Sequence, residues 1–291
     1  MAGLVVVGVD GSANGREALR FALAEAALRD ARLGIVHSWS IPPLTATGIG
    51  MIPAFGLLRE ELAAAAAETL EGELERVARG ATRVELERHV VQGDAAGALV
   101  ERAAGADLLV VGSRGHGAVA STVLGSVSRA CLHHAPCPVA VVNVAHHAEH
   151  ARIVVGVDDS PGARHALAWA FAEARLRGAD VHAVCAYDEP FALGAAGLSS
   201  PEVVVELRDA LAEEANAVVE RMRDSAPQDV VVTGEAVHGP AGQVLVAAAA
   251  DAGLLVVGSR GRGGFKSLLL GSVSQHCAAR SGGVAVVVRA A

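Results

Sequence analysis

The sequence predicts an α/β fold of two tandem five-stranded parallel sheets flanked by helices. In both halves of the chain, short apolar runs alternate with longer amphipathic stretches, a pattern typical of parallel sheets with helical crossovers. Runs such as LVVVGV at Leu4–Val9 lack polar alternation, as expected for strands buried on both faces. The same order of segments occurs twice, which indicates a duplicated domain.

In the first half, the apolar runs predict five strands and the Ala- and Leu-rich stretches between them predict four helices. The expected strands are Leu4–Asp10, Leu33–Trp39, Arg83–Val91, Asp107–Gly112 and Pro138–Val144. The expected helices are Asn14–Asp30, Leu57–Arg79, Ala95–Ala104 and Ser126–His134. Each helix links two strands, so neighbouring strands run parallel.

The second half repeats this order, which supports the same topology. The expected strands are Arg152–Asp158, Asp180–Tyr187, Val230–Val237, Leu254–Gly258 and Val284–Arg289, and the expected helices are Gly162–Arg177, Pro201–Ser225, Ala241–Ala250 and Ser272–Arg280. The joint lies near Asn143–Arg152. We therefore predict one domain over residues 1–145 and a second over residues 151–291.

Composition excludes several functional classes. The 291 residues are 52% hydrophobic but only 3% aromatic, which excludes disorder and disfavours base stacking on single-stranded nucleic acid. A net charge of −8 provides no basic stripe for a nucleic-acid partner. No uncharged run is long enough for a membrane span, and the start, MAGLVVVGVDG, resembles a strand rather than a signal peptide. We expect a soluble cytoplasmic protein with buried, reduced cysteines.

Two glycine motifs carry the main functional signal. Gly112-x-x-Gly115 is followed after nine residues by Gly125-Ser126, and Gly258-x-x-Gly261 by Gly271-Ser272 at the same spacing. Glycines can adopt positive φ and let backbone amides approach a ligand, and the helix start then favours a phosphate. Ser126 can cap the helix or offer its hydroxyl to that phosphate. The alternative is ordinary turn and cap chemistry.

Two acidic residues are expected opposite the glycine motifs. Asp10 and Asp158 end the first strand of each half, at the strand ends where open α/β sheets bind ligands. Their carboxylates suit ribose hydroxyls, or they start a turn that caps the next helix. Arg114 and Arg260 supply positive charge, or are solvated loop residues. The lysine of the GxxxxGK[ST] phosphate loop is absent.

These residues make both halves similar to universal stress protein domains, a family of adenine-nucleotide-binding α/β domains. The glycine signature matches twice, together with GVDGS, GVDDS and the closing VAVV strand. The resemblance implies strand order 3-2-1-4-5 and ATP-binding residues in both halves. In the first half these are Gly8, Asp10, Ser38, Gly112, Ser113, Arg114, Gly115, Gly125, Ser126 and Val127. In the second half they are Gly156, Asp158, Ala186, Gly258, Ser259, Arg260, Gly261, Gly271, Ser272 and Val273.

The resemblance also implies a function. We expect ATP, or AMP or ADP, bound with Mg²⁺ and without a metal site made of side chains alone, in a nucleotide-dependent sensor or regulator of the stress response. No nucleophile–base pair or general-base histidine is expected near the loop, so no catalytic residue is assigned. The alternatives are a nucleotide-free interaction scaffold, or an enzyme with weak ATPase or nucleotidyl-transfer activity. The final strands, Pro138–Val144 and Val284–Arg289, are expected from the resemblance to pair edge to edge, either between the two halves of one chain or between two chains of a homodimer.

Several sequence differences and neighbouring segments bear on whether these sites bind a nucleotide. Asp159 replaces Gly11 in the second half, which adds a negative charge near an anionic ligand. Gly253 stands in place of Asp107, and SGGVAV in place of APCPVAV. The histidines His146, His147 and His150 fit a solvated linker better than a metal site. The connections Ser40–Gly56 and Asp188–Ser200 are lids or mobile loops. We expect Gly112→Ala with Gly258→Ala to weaken ATP binding while folding survives.

Overall fold

The structure is a computed structural model that describes residues 3–40, 52–77, 84–115, 124–143, 152–188, 201–262 and 269–289. The chain divides into two compact units, Met1–Val144 and Ala145–Ala291. The predicted linker histidines and most of the two long connections lie outside the described residues. None of the helices in the described part of the chain is both long and apolar enough to cross a membrane.

The described residues of the first unit form five strands and four helices in strict alternation. The strands are β1 Leu4–Val9, β2 Arg32–Trp39, β3 Leu86–Gln92, β4 Leu108–Gly112 and β5 Val139–Val142. The helices are α1 Ala13–Leu28, α2 Ile52–Val77, α3 Ala95–Arg102 and α4 Ser126–His134. All paired strands are parallel and lie in the order β3-β2-β1-β4-β5. The predicted α/β class and the predicted strand order are confirmed for this unit.

The second unit repeats the arrangement. Its strands are β6 Arg152–Gly156, β7 Asp180–Tyr187, β8 Val232–His238, β9 Leu254–Gly258 and β10 Val284–Val288. Its helices are α5 Pro161–Arg177, α6 Pro201–Asp224, α7 Ala241–Ala248 and α8 Ser272–Arg280. The strands are again parallel, in the order β8-β7-β6-β9-β10. In both units the winding reverses beside the first strand, so the ends of the first and fourth strands open onto a crevice.

Aliphatic side chains from the central strands form the core of each unit. Val5, Val7, Leu108 and Val110 are fully buried in the first unit, as expected for strands covered by helices on both faces. All four cysteines are free and buried, which confirms the predicted state of the thiols. Burial raises the pKa of Cys131 and of Cys277 to about 12. These thiols are therefore protonated and unreactive at neutral pH.

Several element boundaries differ from the sequence prediction. Helix α2 begins at Ile52, five residues inside the stretch predicted as a loop, because Pro53 is tolerated in the first turn of a helix. Strand β3 begins at Leu86 rather than at Arg83, and β8 begins at Val232 rather than at Val230. Both are edge strands with mixed burial, so the pattern of apolar residues does not predict where these strands begin.

Candidate functional site

The predicted residues of the first unit meet at the carboxyl ends of β1, β2 and β4. A cavity of about 920 Å³ opens there, within the range of about 300–1,000 Å³ typical of small-molecule sites. Except for Ser113, every residue predicted for this unit lines the cavity: Gly8, Asp10, Ser38, Gly112, Arg114, Gly115, Gly125, Ser126 and Val127. The structure therefore brings together residues that lie more than a hundred positions apart in the sequence.

Ser113 faces the interior instead. Its side chain is buried, and its hydroxyl has no hydrogen-bond partner among the described residues. Both backbone polar groups of Ser113 are hydrogen-bonded. Its amide donates to the Val142 carbonyl at 2.9 Å, and its carbonyl accepts from the Gly125 amide at 2.9 Å. Ser113 thus joins the two glycine segments through its backbone, and its ATP-binding role stays a prediction.

Gly112 is required by close packing and not by an unusual φ. Neither Gly112 nor Gly115 has a φ in the left-handed region, so the predicted positive-φ role is wrong. A Cβ added at Gly112 would lie 2.9 Å from the carbonyl carbon of Asn14, and one at Gly258 would lie 2.5 Å from that of Gly162. Alanine at either position would push away the first turn of a helix. The double alanine variant is therefore expected to lose stability, and the expectation that its folding survives stays a prediction.

The start of α4 presents open backbone donors to the cavity. Gly125 is the N-cap, with φ −60° and ψ 157°, and it provides no side-chain acceptor. Ser126 is the first helical residue, so of the two alternatives for its hydroxyl the structure rules out the helix cap. No hydrogen bond found among the described residues uses the amides of Ser126 or Val127. Unpaired amides at the positive end of a helix favour an anion.

Asp10 lies against the glycine motif. Its Oδ1 accepts a hydrogen bond from the Ser12 amide at 3.0 Å, and the Ser12 hydroxyl in turn accepts from the Gly15 amide at 3.0 Å. The structure therefore contains the turn and the capped helix of the alternative interpretation. A Cβ added at Gly115 would lie 2.3 Å from Asp10 Oδ2, so the carboxylate also borders the cavity beside Gly115. The ribose-binding role of Asp10 stays a prediction.

The structure adds cavity residues that the sequence did not single out. Ser128 donates from its hydroxyl to the Gly112 carbonyl at 2.6 Å and so fixes the glycine segment to α4. His37 Nδ1 lies 2.8 Å from the Val9 carbonyl, which can only accept, so Nε2 is left as an acceptor in the neutral ring. Leu99 on α3 packs against Gly8 and provides an apolar wall. Further lining residues are Val9, Gly15, Val36, Ser40, Ala95, Val111 and Leu124.

Some of these additions had a signal in the sequence. His37 directly precedes the predicted Ser38, and Leu99 is the buried position of the amphipathic helix α3. Ser38 itself donates to the Gly93 carbonyl at 2.7 Å, which holds the end of β2 beside the end of β3. Ser128 had no such signal, because its role depends on how the helix start folds against β4.

The second unit repeats the same contacts around its own first strand. Asp158 Oδ1 accepts from the Ser160 amide at 3.0 Å, as Asp10 does from Ser12. A Cβ at Gly261 would lie 2.4 Å from Asp158 Oδ2, and one at Gly156 would lie 2.8 Å from Leu245 Cδ1. Gly271 is the N-cap of α8, again without a side-chain acceptor.

The other predicted residues of this unit occupy the equivalent places. Ser259 is buried, and its carbonyl accepts from the Gly271 amide at 2.7 Å, so it repeats the backbone role of Ser113. Ala186 is half-buried near the end of β7, and Arg260 is exposed. The helix α8 begins with Ser272 and Val273.

Asp159 does not add an unbalanced charge to the second unit. It takes the left-handed conformation of Gly11, with φ 62° against 81°. Its carboxylate accepts from Arg164 Nη2 at 2.8 Å and from Arg221 Nη2 at 3.2 Å. The hydrogen bond from Arg164, assisted by Arg221, lowers the pKa of Asp159. The expected negative charge of Asp159 is therefore present, and two guanidinium groups offset it.

No group of three or more His, Cys, Asp or Glu side chains in the described part of the chain could hold a metal ion. Any Mg²⁺ at these sites would therefore need oxygen ligands from the bound molecule as well.

The fold and these contacts define a tandem α/β protein with a glycine-containing strand-to-helix connection in each unit. The universal stress protein family model matches residues 1–143 and 150–289. Universal stress protein Rv2005c of Mycobacterium tuberculosis is 36% identical over 279 residues, covering 93% of this chain and 91% of the relative. A universal stress protein of Mycolicibacterium smegmatis is 32% identical over 295 residues, covering 98% and 96%. The chain belongs to the universal stress protein family.

Solved structures show the same fold. A universal stress protein from Archaeoglobus fulgidus matches with a TM-score of 0.60 and 18% identity, over 98% of this chain and 96% of that one. A putative universal stress protein from Pseudomonas aeruginosa matches with a TM-score of 0.60 and 18% identity, over 99% and 92%. At this level of identity the similarity concerns the fold.

Proposed function

We propose that the chain binds one adenine nucleotide in each unit and acts as a nucleotide-dependent sensor or regulator of the stress response in the cytoplasm. ATP with Mg²⁺ is the proposed ligand, and AMP or ADP are related ones. Family membership supports this proposal, since the glycine signature of its ATP-binding members occurs in both units.

The observation that carries the proposal is the open start of α4. The Ser126 and Val127 amides have no acceptor among the described residues, and they border a cavity of about 920 Å³. Phosphate oxygens suit such donors, because the amides and the helix dipole favour negative charge. Asp10, beside Gly115, suits ribose hydroxyls, and Leu99 with Val36 offers apolar surface to a base. The residues present therefore fit an adenine nucleotide.

The cavity supports binding better than rapid turnover. Catalysis by a nucleophile requires a base within hydrogen-bond reach of a hydroxyl or thiol. Among the described lining residues no hydrogen bond joins a hydroxyl to an imidazole: His37 bonds the Val9 carbonyl, and Ser38 bonds the Gly93 carbonyl. We therefore propose a protein without a catalytic residue, in which any hydrolysis of ATP is slow.

Mass analysis of nucleotide released from the purified, heat-denatured protein tests the proposal. We expect adenine nucleotide approaching one per unit, either as purified or after incubation with ATP and Mg²⁺. Its complete absence after incubation would support the scaffold alternative. Steady phosphate release that Asp10→Ala abolishes would instead support an enzyme.

A further inference from the structure

The second unit carries a charge cluster that links α6 to both ligand-facing loops. Arg262 Nη2 donates to Glu214 Oε1 at 2.5 Å, which joins the loop after Gly261 to this helix. Arg221, two turns further along α6, bonds Asp159 at 3.2 Å in the β6–α5 loop. One helix is thus connected by ion pairs to the two loops that flank the end of β6.

The backbone of Arg262 lies beside the predicted ligand site. The Arg262 amide donates a hydrogen bond to Asp158 Oδ2 at 3.0 Å. Asp158 is the carboxylate predicted to bind the ribose. The pKa of the Cys185 thiol near the end of β7 is raised to about 11, mainly by burial, and the charges of Asp158, Arg262 and Glu214 also act on it. These charged groups therefore gather around the carboxyl ends of β6 and β7.

The ion pair is weak enough to be exchanged for a ligand. The side chains of Arg262 and Glu214 are 58% and 51% exposed, and such pairs contribute about 0–1 kcal/mol because water screens them. A di- or triphosphate carries more charge than one carboxylate and accepts bidentate hydrogen bonds from a guanidinium. Phosphate oxygens can therefore compete with Glu214 for this arginine.

The first unit lacks the same pair of residues in its sequence. His116 follows Gly115 where Arg262 follows Gly261. At the 146-residue offset that relates the two glycine motifs and also β3 to β8, Glu214 corresponds to Glu68, so the first unit has the carboxylate but not the arginine. The two sites of the chain therefore differ in charge at this place, although their glycine motifs are the same.

We propose that Arg262 is a specificity-determining residue of the second unit. When a nucleotide binds, the Arg262 guanidinium breaks its ion pair with Glu214 and binds the outer phosphates instead. The inference rests on the proposed nucleotide binding and adds to it. Glu214 is a competitor for the arginine and does not contact the ligand. As a consequence, the second unit distinguishes ATP from AMP by phosphate charge, and loading with ATP releases α6 from the glycine loop.

Two variants that break the same ion pair test the proposal, because they are expected to act in opposite directions. Both are made in the full chain with the first site disabled by Gly125→Asp, and the dissociation constants of ATP and AMP are measured by calorimetric titration. Arg262→Gln is expected to weaken ATP binding about tenfold. Glu214→Gln is expected to tighten it about threefold. AMP binding changes little in either variant.

The matched control is a second exposed ion pair of α6. Arg223→Gln removes a comparable exposed ion pair with Glu220 (2.8 Å) on the same helix and is expected to change neither constant. If the Arg262–Glu214 pair is purely structural, both variants shift ATP and AMP affinity in the same direction, and the inference is overturned. If the unmodified chain binds no nucleotide at all, the proposed function itself fails, which is a separate result.

Discussion

Gly125 keeps the start of α4 open, because any cap side chain with an oxygen would occupy the amides that face the cavity. Ser12 and Asp94 cap α1 and α3 in that way. Gly125 and Gly271 have the extended N-cap conformation but no side chain to accept from the following amides. Because the amides of both helices are left available, these two glycines mark the places where an anion is expected.

Replacing Gly125 tests this role at the scale of one residue. Gly125→Asp is expected to lower ATP affinity at the first site at least about tenfold, since the carboxylate takes the amides and repels phosphates. An added Cβ meets nothing closer than 3.5 Å, so the free energy of unfolding stays within a few tenths of a kcal/mol or rises. Calorimetric titration and urea unfolding measure the two effects.

Gly125→Asn is the matched control, because asparagine caps helices as well as aspartate but carries no charge. It is expected to lower ATP affinity less than aspartate does. Equal ATP affinity in the glycine, asparagine and aspartate forms would show that phosphate does not bind at this helix start.

At the scale of elements, the helices of one unit begin in two different ways. Helix α1 begins with a side-chain cap, in which Ser12 Oγ accepts from the Gly15 amide at 3.0 Å. Helix α4 begins at Ser126 without one, and its first turn is fixed by Ser128 through the Gly112 carbonyl. A side chain thus satisfies an amide at the start of α1, whereas the Ser126 and Val127 amides at the start of α4 have no acceptor among the described residues.

The two serines are therefore expected to differ in their effect on folding. Ser12→Ala removes a cap and is expected to lower the free energy of unfolding by about 1 kcal/mol. Ser126→Ala removes no cap and is expected to change it by less than about 0.5 kcal/mol. Urea unfolding followed by circular dichroism compares them. A larger loss for Ser126→Ala would mean that its hydroxyl does stabilise the helix.

The sequence predicted most helices and strands because the hydrophobic periodicity of each stretch agrees with the burial of its residues. Helices α4 and α8 begin and end as predicted, since a glycine precedes each and buried cysteines mark the inner face. The start of α2 was missed because a proline in the first turn resembles a loop residue. The inward orientation of Ser113 and the packing of Gly112 on Asn14 depend on tertiary contacts that no local pattern records.

At the scale of the whole molecule, the four cysteines report on the packing of both units. Burial raises the pKa of Cys137 and of Cys185 to about 11, and that of Cys131 and Cys277 to about 12. The folded chain therefore keeps all four thiols protonated and out of solvent, whereas the unfolded chain exposes them with an ordinary pKa.

Two measurements follow from this difference. In the folded chain at pH 8 none of the four thiols is expected to react quickly with a disulfide reagent, and all four react in denaturant. The unfolded chain loses thiol protons above its own pKa, near 9, while the folded chain holds them to between about 11 and 12. Stability therefore falls as pH rises through this window. Rapid labelling of the native chain would contradict the buried placement.

The number of ATP molecules bound per chain tests the central claim most directly. Equilibrium dialysis with ATP and Mg²⁺ is expected to give one nucleotide per unit in the unmodified chain. Gly125→Asp is expected to remove one of them, and Gly125→Asp with Gly271→Asp to remove both while the circular dichroism spectrum is unchanged. An unmodified chain that binds no ATP, or a double variant that binds it fully, would contradict the account.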